Sequence, residues 1–406
     1  MSKFLSKSLL LYKDAYAGHP PEIWTITIVT FINRVGTMIA PFLVVYLTTI
    51  LDFELKEAGL IVAAFGAGSF SGTYVGGKLT DRIGARKVIT GSLLLGGVFL
   101  ILLQLVTSFW GLVGMLFTMA FFGEALRPAT MASIGDYVPK SHTGRAMALL
   151  RLAINLGFTA APAIGGFLAV SLGYAWLFWI DGLTCIAAAI YFVIASAKWR
   201  PTTQSDILEE NATSKASTAR PPHLNRRYIL FLLATFIMGF GFIQWFHSIP
   251  LFLKSEWGFD ERYIGALMML NGILIVILEM PLVHIIEHKK QTIKSFFIGI
   301  VLIGASFLPF LLPAWYGFAV LAIVLMTIGE ILNLPFSSSF ALNLSPDSMR
   351  GEYSAWYGMT WSLTHIAGPA LGLAFIDELG YPAFWSCLAV LCIVSLVLHR
   401  WAGMRS

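Results

Sequence analysis

The stretch Gly76-Gly-Lys-Leu-Thr-Asp-Arg-Ile-Gly-Ala-Arg-Lys87 separates two long apolar runs, and the interpretation of the whole chain begins from it. It contains four basic side chains, one carboxylate at Asp81 and three glycines. Basic residues concentrate in short loops on the cytoplasmic side of a membrane, between apolar segments that cross it. The stretch therefore indicates a charged loop between two transmembrane helices.

The composition of the chain supports a membrane protein. Of its 406 residues 57% are hydrophobic and 12% are charged, whereas soluble domains average about 25% charged residues. Runs of about 20 apolar residues can span a bilayer as helices. The sequence predicts an all-α membrane protein with twelve transmembrane helices. The predicted segments, numbered 1 to 12, are 23–50, 58–79, 88–106, 110–135, 146–170, 174–196, 228–253, 262–286, 294–312, 315–341, 353–375 and 381–399.

The distribution of basic residues predicts the orientation in the membrane. Of the 27 basic residues, 21 fall on one side of the predicted bilayer, which the positive-inside rule makes the cytoplasmic side. Both termini are then cytoplasmic. Because the basic residues follow this rule, the net charge of +5 does not indicate a nucleic-acid partner. The exceptions are three residues on the opposite side and three within segments: Lys56, Lys254 and Arg262, and Arg34, Arg127 and Arg151, respectively.

The chain divides into two similar halves. A polar stretch rich in Ser, Thr and Pro, 198–227, is predicted to be a cytoplasmic linker between bundles 1–197 and 228–406. Residues on either side repeat with an offset of 207: Gly144, Ala148, Pro162 and Gly165 recur as Gly351, Ala355, Pro369 and Gly372. Two six-helix repeats are a common transporter design, with the substrate site between them near the midplane. We therefore expect two pseudo-symmetric six-helix bundles.

The charged loop resembles the loop between helices 2 and 3 of major facilitator superfamily transporters, through Gly-x-x-x-Asp-Arg-x-Gly-x-Arg-Lys from Gly77. The resemblance implies that Asp81 packs near the start of segment 11 and helps to join the halves on the cytoplasmic side. Unpaired amides at a helix N-terminus favour a carboxylate. Arg82, Arg86 and Asp136 would complete a gating cluster that closes in one conformation and separates in the other. Ordinary inside-positive charge is the alternative interpretation.

Segment 5 resembles the glycine-proline motif of the superfamily's antiporters, in the stretch from Asn155 to Gly166. Ala161 stands where the motif has a glycine before Pro162, which weakens the resemblance. Gly165 and Gly166, with Pro369 in segment 11, are expected at helix crossings, because small residues allow close approach and proline permits a bend. A helix-packing interface shared with symporters explains the motif equally well.

Charged residues within the membrane segments are the candidates for transport chemistry, because a charge at bilayer depth is costly unless it faces a partner or a cavity. Glu124 and Arg127 lie three residues apart and could pair on one helix face, with Arg34 of segment 1 within reach. A desolvated carboxylate beside an arginine is suited to loading and releasing a proton. Glu330 is the second candidate, whereas Glu279 is expected to be structural. A purely structural Glu124–Arg127 pair is the alternative. The remaining candidates are Arg151, Asn155, His247 and His365.

These features predict a secondary transporter that couples protons to the export of amphipathic or drug-like molecules by alternating access. The stretch from Phe31 to Gly36 also resembles drug exporters of the superfamily. The three arginines within segments favour the alternative of a proton-coupled symporter of peptides, sugars or organic anions. No protease or hydrolase motif is recognised, so no enzymatic activity, cofactor or metal is expected. The superfamily resemblance implies a monomer in a bacterial inner membrane, with a small-molecule substrate, protons and the lipid bilayer as its partners.

Overall fold

The computed structural model describes residues 19–138, 140–199, 221–346 and 349–403. Most of the predicted linker, 200–220, lies outside this part, as do 1–18 and 404–406. Every regular element in the described residues is helical. The α-helices are α1 Pro21–Val35, α2 Leu43–Thr49, α3 Leu55–Ile83, α4 Ala85–Leu103, α5 Phe109–Glu124, α6 Leu126–Tyr137, α7 Lys140–Leu172, α8 Tyr174–Ala195, α9 Arg226–Ile243, α10 Ser248–Ser255, α11 Glu261–His288, α12 Thr292–Ala305, α13 Tyr316–Asn343 and α14 Arg350–Trp401.

Eleven stretches of the described chain are long and apolar enough to cross a membrane. The last of them, Glu352–Trp401, has 50 residues, whereas about 20 residues suffice for one crossing. It is interrupted at Gly380, whose φ of 76° and ψ of 168° are not helical. The two arms of α14 on either side of Gly380 correspond to the predicted segments 11 and 12. The prediction of an all-helical membrane protein is confirmed, and twelve segments agree with these eleven stretches once the last is divided at Gly380.

Three of the segments consist of two helices each. Segment 1 is α1 followed by α2, segment 4 is α5 followed by α6, and segment 7 is α9 followed by α10. Segments 1 and 7 occupy equivalent positions in the two halves, so the interruption recurs with the pseudo-symmetry. Non-helical backbone at membrane depth is tolerated only where it is buried in protein or lines a cavity.

The packing of the segments follows the same pattern in both halves. In the first half, segment 1 packs on 5, segment 2 on 4 and segment 3 on 6. In the second half, α9 packs on α14, α11 on α13, and α12 on both α13 and α14. The most extensive contacts between halves join α7 to α11 and α3 to α14. These two contacts are equivalent, because a two-fold rotation that superposes one half on the other places the α7–α11 contact on the α3–α14 contact.

The outer surface of the bundle is apolar. Leucine, isoleucine and valine side chains such as Leu105 and Ile194 are exposed over much of their surface, which suits a lipid environment rather than water. Trp110, Trp315 and Trp401 are exposed near helix ends. Tryptophans favour the membrane–water interface, so these residues mark the borders of the apolar belt.

Candidate functional site: a charged cluster between the two halves

The first half contributes an ion pair within the membrane segments. Arg34, in the last turn of α1, places Nη1 3.8 Å from Oε1 of Glu124 at the end of α5. The two side chains are 13% and 20% exposed, so the pair is largely withdrawn from solvent. The guanidinium also lies 5.3 Å from the ring centroid of Phe158 on α7. Segments 1, 4 and 5 thus meet at Arg34.

The sequence suggested that Glu124 could pair with Arg127, and the structure shows a different partner. Helix α5 ends at Glu124 and α6 begins at Leu126, so the two residues do not share an uninterrupted helix. Within the described residues the ion pair of Glu124 is made with Arg34, and Arg127 is exposed. An exposed arginine inside a membrane segment requires a polar or water-filled surrounding.

The second half faces this pair with a histidine. The exposed imidazole of His365, on segment 11, interacts electrostatically with both Glu124 and Arg127. His247 interacts in turn with His365. The Nδ1 atom of His247 is buried and has no hydrogen-bond partner among the described residues. A line of ionisable groups therefore runs from Arg34 and Glu124 across the interface to His247.

A second group of charges connects the halves through segments 5, 8 and 10. Arg151 on α7 interacts electrostatically with Glu279 on α11, and Glu279 interacts with Glu330 on α13. Asn271 of α11 donates to Glu330 Oε2 at 3.1 Å and to Thr327 Oγ1 at 2.9 Å. The sequence did not indicate Asn271 or Thr327, since neutral polar residues are common in membrane helices.

The packing residues predicted in segments 5 and 11 lie where helices cross. A Cβ at Gly166 would overlap the Glu261 carbonyl oxygen on α11, and one at Gly165 would lie 2.8 Å from the Met38 carbonyl oxygen. The carbonyls of Pro162 and Pro369 lie against Gly265 and Gly59, respectively. Asn155 is part-buried on α7, and its carbonyl accepts a hydrogen bond from the Thr159 hydroxyl.

The two ends of the bundle differ. We call the end that contains Lys56, Tyr174, Glu261 and Glu378 the sealed end, because ion pairs and hydrogen bonds join the halves there. Lys56 Nζ lies 3.1 Å from Glu378 Oε1 and 3.4 Å from Asp377 Oδ2. Tyr174 donates to Glu261 Oε1 at 2.6 Å.

Two further basic residues belong to the sealed end. Lys254 lies 3.0 Å from the same carboxylate oxygen of Glu261. Arg262 lies over the Phe167 ring of the other half at 5.6 Å. The three basic residues that the sequence assigns to the outer side thus all take part in the contacts of this end.

The opposite end, which we call the loop end, carries the 76–87 stretch. Asp81, Arg82 and Arg86 are exposed there. A Cβ at Gly77 would lie 3.8 Å from Pro128 of segment 4. Asp136 belongs to α6, and its side chain lies outside the described part of the structure.

Comparison with known proteins agrees with this architecture. Residues 26–369 match the family model described as Major Facilitator Superfamily. The "Uncharacterized MFS-type transporter YttB" of Bacillus subtilis is 28% identical over 93% of this chain and 94% of its own length. The "Na(+), Li(+), K(+)/H(+) antiporter" of Planococcus maritimus is 22% identical over 91% of this chain and 93% of its own length. "Multidrug resistance protein 2" of Bacillus subtilis is 24% identical over 86% of this chain and 87% of its own length.

A solved structure shares the fold. A POT family transporter in complex with 5-aminolevulinic acid superposes with a TM-score of 0.79, at 16% identity, over 94% of this chain and 96% of that chain. At this identity the likeness concerns the fold alone. With most of its length matched by the family model, the chain belongs to the major facilitator superfamily of membrane transporters.

Proposed function

We propose that this protein exchanges protons for amphipathic or drug-like molecules and exports them by alternating access. The observation that carries the proposal is the Arg34–Glu124 pair, which lies within the membrane segments and faces His365 across the interface between halves. A carboxylate that exchanges an arginine partner for a proton changes the charge at the interface. That change gives the two conformations different affinities for substrate, as coupling requires.

One relative named as a proton antiporter supports exchange, and two relatives named as multidrug resistance proteins support drug-like substrates. The antiporter of Planococcus maritimus and two Bacillus multidrug resistance proteins match most of the chain, at 22% to 24% identity. Aromatic side chains beside the charged cluster, such as Phe158 over Arg34, offer apolar surface to an amphipathic molecule. We propose the same cluster, with Arg151, Asn155, His247 and Glu330, as the proton and substrate site.

In this proposal, the protein alternates between one conformation in which the sealed end is closed and another in which the loop end is closed. The contacts of Lys56, Tyr174 and Arg262 would separate when the sealed end opens. The loop end would then close through Gly77, Asp81, Arg82, Arg86 and Asp136. We propose that the loop end lies in the cytoplasm, which would make both termini cytoplasmic, and that the membrane is a bacterial inner membrane. We propose that one monomer suffices, because each half provides the other's contact surface.

A second candidate is a proton-coupled symporter of peptides, sugars or organic anions. The three arginines within the membrane segments favour it, and Arg127 and Arg151 are both exposed there. Guanidinium groups bind carboxylates and phosphates through paired hydrogen bonds. The direction of proton flow relative to substrate distinguishes the two candidates.

A measurement of proton flux in liposomes tests both candidate functions, the exporter and the symporter. Purified protein is reconstituted with an internal pH dye and challenged with lipophilic cations, organic anions or dipeptides. We expect a lipophilic cation to move protons opposite to its own flux in the wild type and not in Glu124→Gln. Glu256→Gln, at an exposed position near the sealed end, is the matched control and should behave like the wild type.

Other outcomes assign other functions. Proton movement in the same direction as an anion or dipeptide establishes the symporter. Equal coupling in the wild type and in Glu124→Gln overturns the role of Glu124, and Glu330→Gln then becomes the variant to measure. Absence of coupled flux with every class of solute contradicts the proposal.

A further inference from the structure

The backbone of segment 1 is interrupted close to the charged cluster. Helix α1 ends at Val35, and α2 begins at Leu43 after a short 3₁₀ turn at Ala40–Phe42. Gly36, with φ −78° and ψ 39°, caps α1. Backbone amides in such an interruption lose their helical acceptors, and inside a membrane they need others.

Asp181 of segment 6 supplies an acceptor in the break. Its side chain is fully buried, and Oδ2 accepts the Ile39 amide at 3.0 Å. The Met38 amide also lies near this carboxylate. The other oxygen, Oδ1, is buried and has no hydrogen-bond partner among the described residues. A buried carboxylate with one unpartnered oxygen is unstable as an anion unless something else binds there.

The charged surroundings of Asp181 are sparse. Asp181 and Arg34 both act electrostatically on the Cys185 thiol, one turn along α8 from Asp181. The other helices that pack on α8 are α4 and α7. On α4, Gly97 contacts Gly182 of α8. Lys87 lies about 15 Å away from this contact along α4. Arg151 of α7 interacts with Glu279. In the described chain no ion pair neutralises Asp181.

The equivalent break in segment 7 is held without a charge. Gln244 donates through Nε2 to the carbonyls of Phe240 and Gly368, each at 3.1 Å. Its Oε1 accepts the Ser248 hydroxyl at 2.6 Å. A neutral amide is therefore sufficient to hold this kind of break, and the carboxyl group at Asp181 requires another explanation.

We infer that Asp181 is a second proton-binding group, which carries its proton on Oδ1 and controls the break in segment 1. The inference rests on the proposed proton coupling and adds a carrier to it. The ionised carboxylate binds the Ile39 amide strongly, because charge-assisted hydrogen bonds are about twice as strong as neutral ones. Proton binding forms an O–H bond at Oδ1 and weakens the hydrogen bond that Oδ2 accepts from the Ile39 amide. Arg34, on the other side of the break, is then free to move relative to Glu124.

Infrared spectroscopy of the purified protein tests this inference without a substrate. We expect the wild type to show a carbonyl stretch of a protonated carboxyl group that titrates with pH, that persists in Glu124→Gln and that is lost in Asp181→Asn. Asparagine retains an oxygen that accepts the Ile39 amide, so Asp181→Asn should melt close to the wild type. Asp181→Ala, which removes the acceptor, should melt earlier.

The outcomes separate the two proposals. Superimposable spectra of the wild type and Asp181→Asn at every pH overturn the inference, whatever the transport assay gives. Loss of the same band on adding Na⁺ at constant pH also overturns it, because the site would then bind a metal cation. A titrating Asp181 band in a protein without coupled flux contradicts the proposed function and leaves the proton site in place.

Discussion

At the scale of single residues, Arg34 is the side chain on which the charged cluster depends. Its Nη1 atom lies 3.8 Å from Glu124 Oε1, and its guanidinium carbon lies over the Phe158 ring, 5.3 Å from the centroid. Removing either partner of the ion pair leaves the other charge within the membrane without compensation. We expect Arg34→Gln and Glu124→Gln each to lower thermal stability, and the double variant to lower it by less than the sum of the two.

A double-mutant cycle measures this coupling from the melting of the purified protein. Residues joined in an ion pair show interaction energies of about 0.5 to 3 kcal/mol. Glu256→Gln combined with Arg34→Gln is the control, and its effects should be additive. Additive effects for Arg34 and Glu124 would contradict the pair. Transport should remain absent in the double variant even where stability is recovered, because the proton-binding carboxylate is gone.

The sequence identified the residues of this cluster but not their partners. Arg34, Glu124 and Arg127 could be selected because each places a charge in an apolar segment, where the cost demands a reason. Pairing depends on how α1 and α5, which are distant in the chain, approach each other. It also depends on the interruption after Glu124, which separates it from Arg127. The burial of Asp181 and its unpartnered oxygen depend on how segment 6 packs against the break in segment 1, which the sequence does not show.

At the scale of helices, Gly166 controls the approach of α7 to α11. A Cβ there would overlap the Glu261 carbonyl oxygen, which is backbone and cannot rotate away. We expect Gly166→Ala to destabilise the protein by about 1 to 3 kcal/mol, the usual cost of overpacking. Thermal melting of the purified variant measures the effect.

Gly114 provides the matched control for this substitution. It also lies inside a membrane helix, but a Cβ there would meet nothing within 4 Å. Gly114→Ala should be neutral or slightly stabilising, since alanine in a helix is favoured over glycine by about 0.5 to 1 kcal/mol. Equal melting of Gly166→Ala and Gly114→Ala would show that α7 and α11 do not approach closely at Gly166.

Hydropathy could predict the helices but not their interruptions. Long apolar runs separated by charged or glycine-containing loops are sufficient to locate twelve segments, and the turn at Gly380 agrees with the predicted boundary. The breaks at 36–42 and 244–247 lie inside apolar runs, and they change neither the length of those runs nor their amino-acid composition. They depend on side-chain hydrogen bonds between segments. Asp181 of segment 6 accepts from the Ile39 amide in one half, and in the other Gln244, within the break itself, donates to the Gly368 carbonyl of segment 11.

At the scale of the whole molecule, the two halves meet through their sealed end. Lys56, Lys254 and Arg262 break the positive-inside pattern of the sequence, and each contributes to the contacts of that end. The charge distribution thus contained a signal for this gate, although it could not identify Asp377, Glu378 and Glu261 as the partners. Alternating access requires these contacts to open as the loop end closes.

Distances between spin labels at the two ends test the account most directly. One pair replaces exposed Ile50 and Leu379 at the sealed end, and another replaces exposed Ile83 and Lys289 at the loop end, in a background without the native cysteines. On addition of substrate at neutral pH, the account predicts that the first distance lengthens while the second shortens, that acidification reverses both changes, and that Glu124→Gln suppresses this response to pH. Two distances that stay constant, or that change in the same direction, would contradict alternating access driven by Glu124.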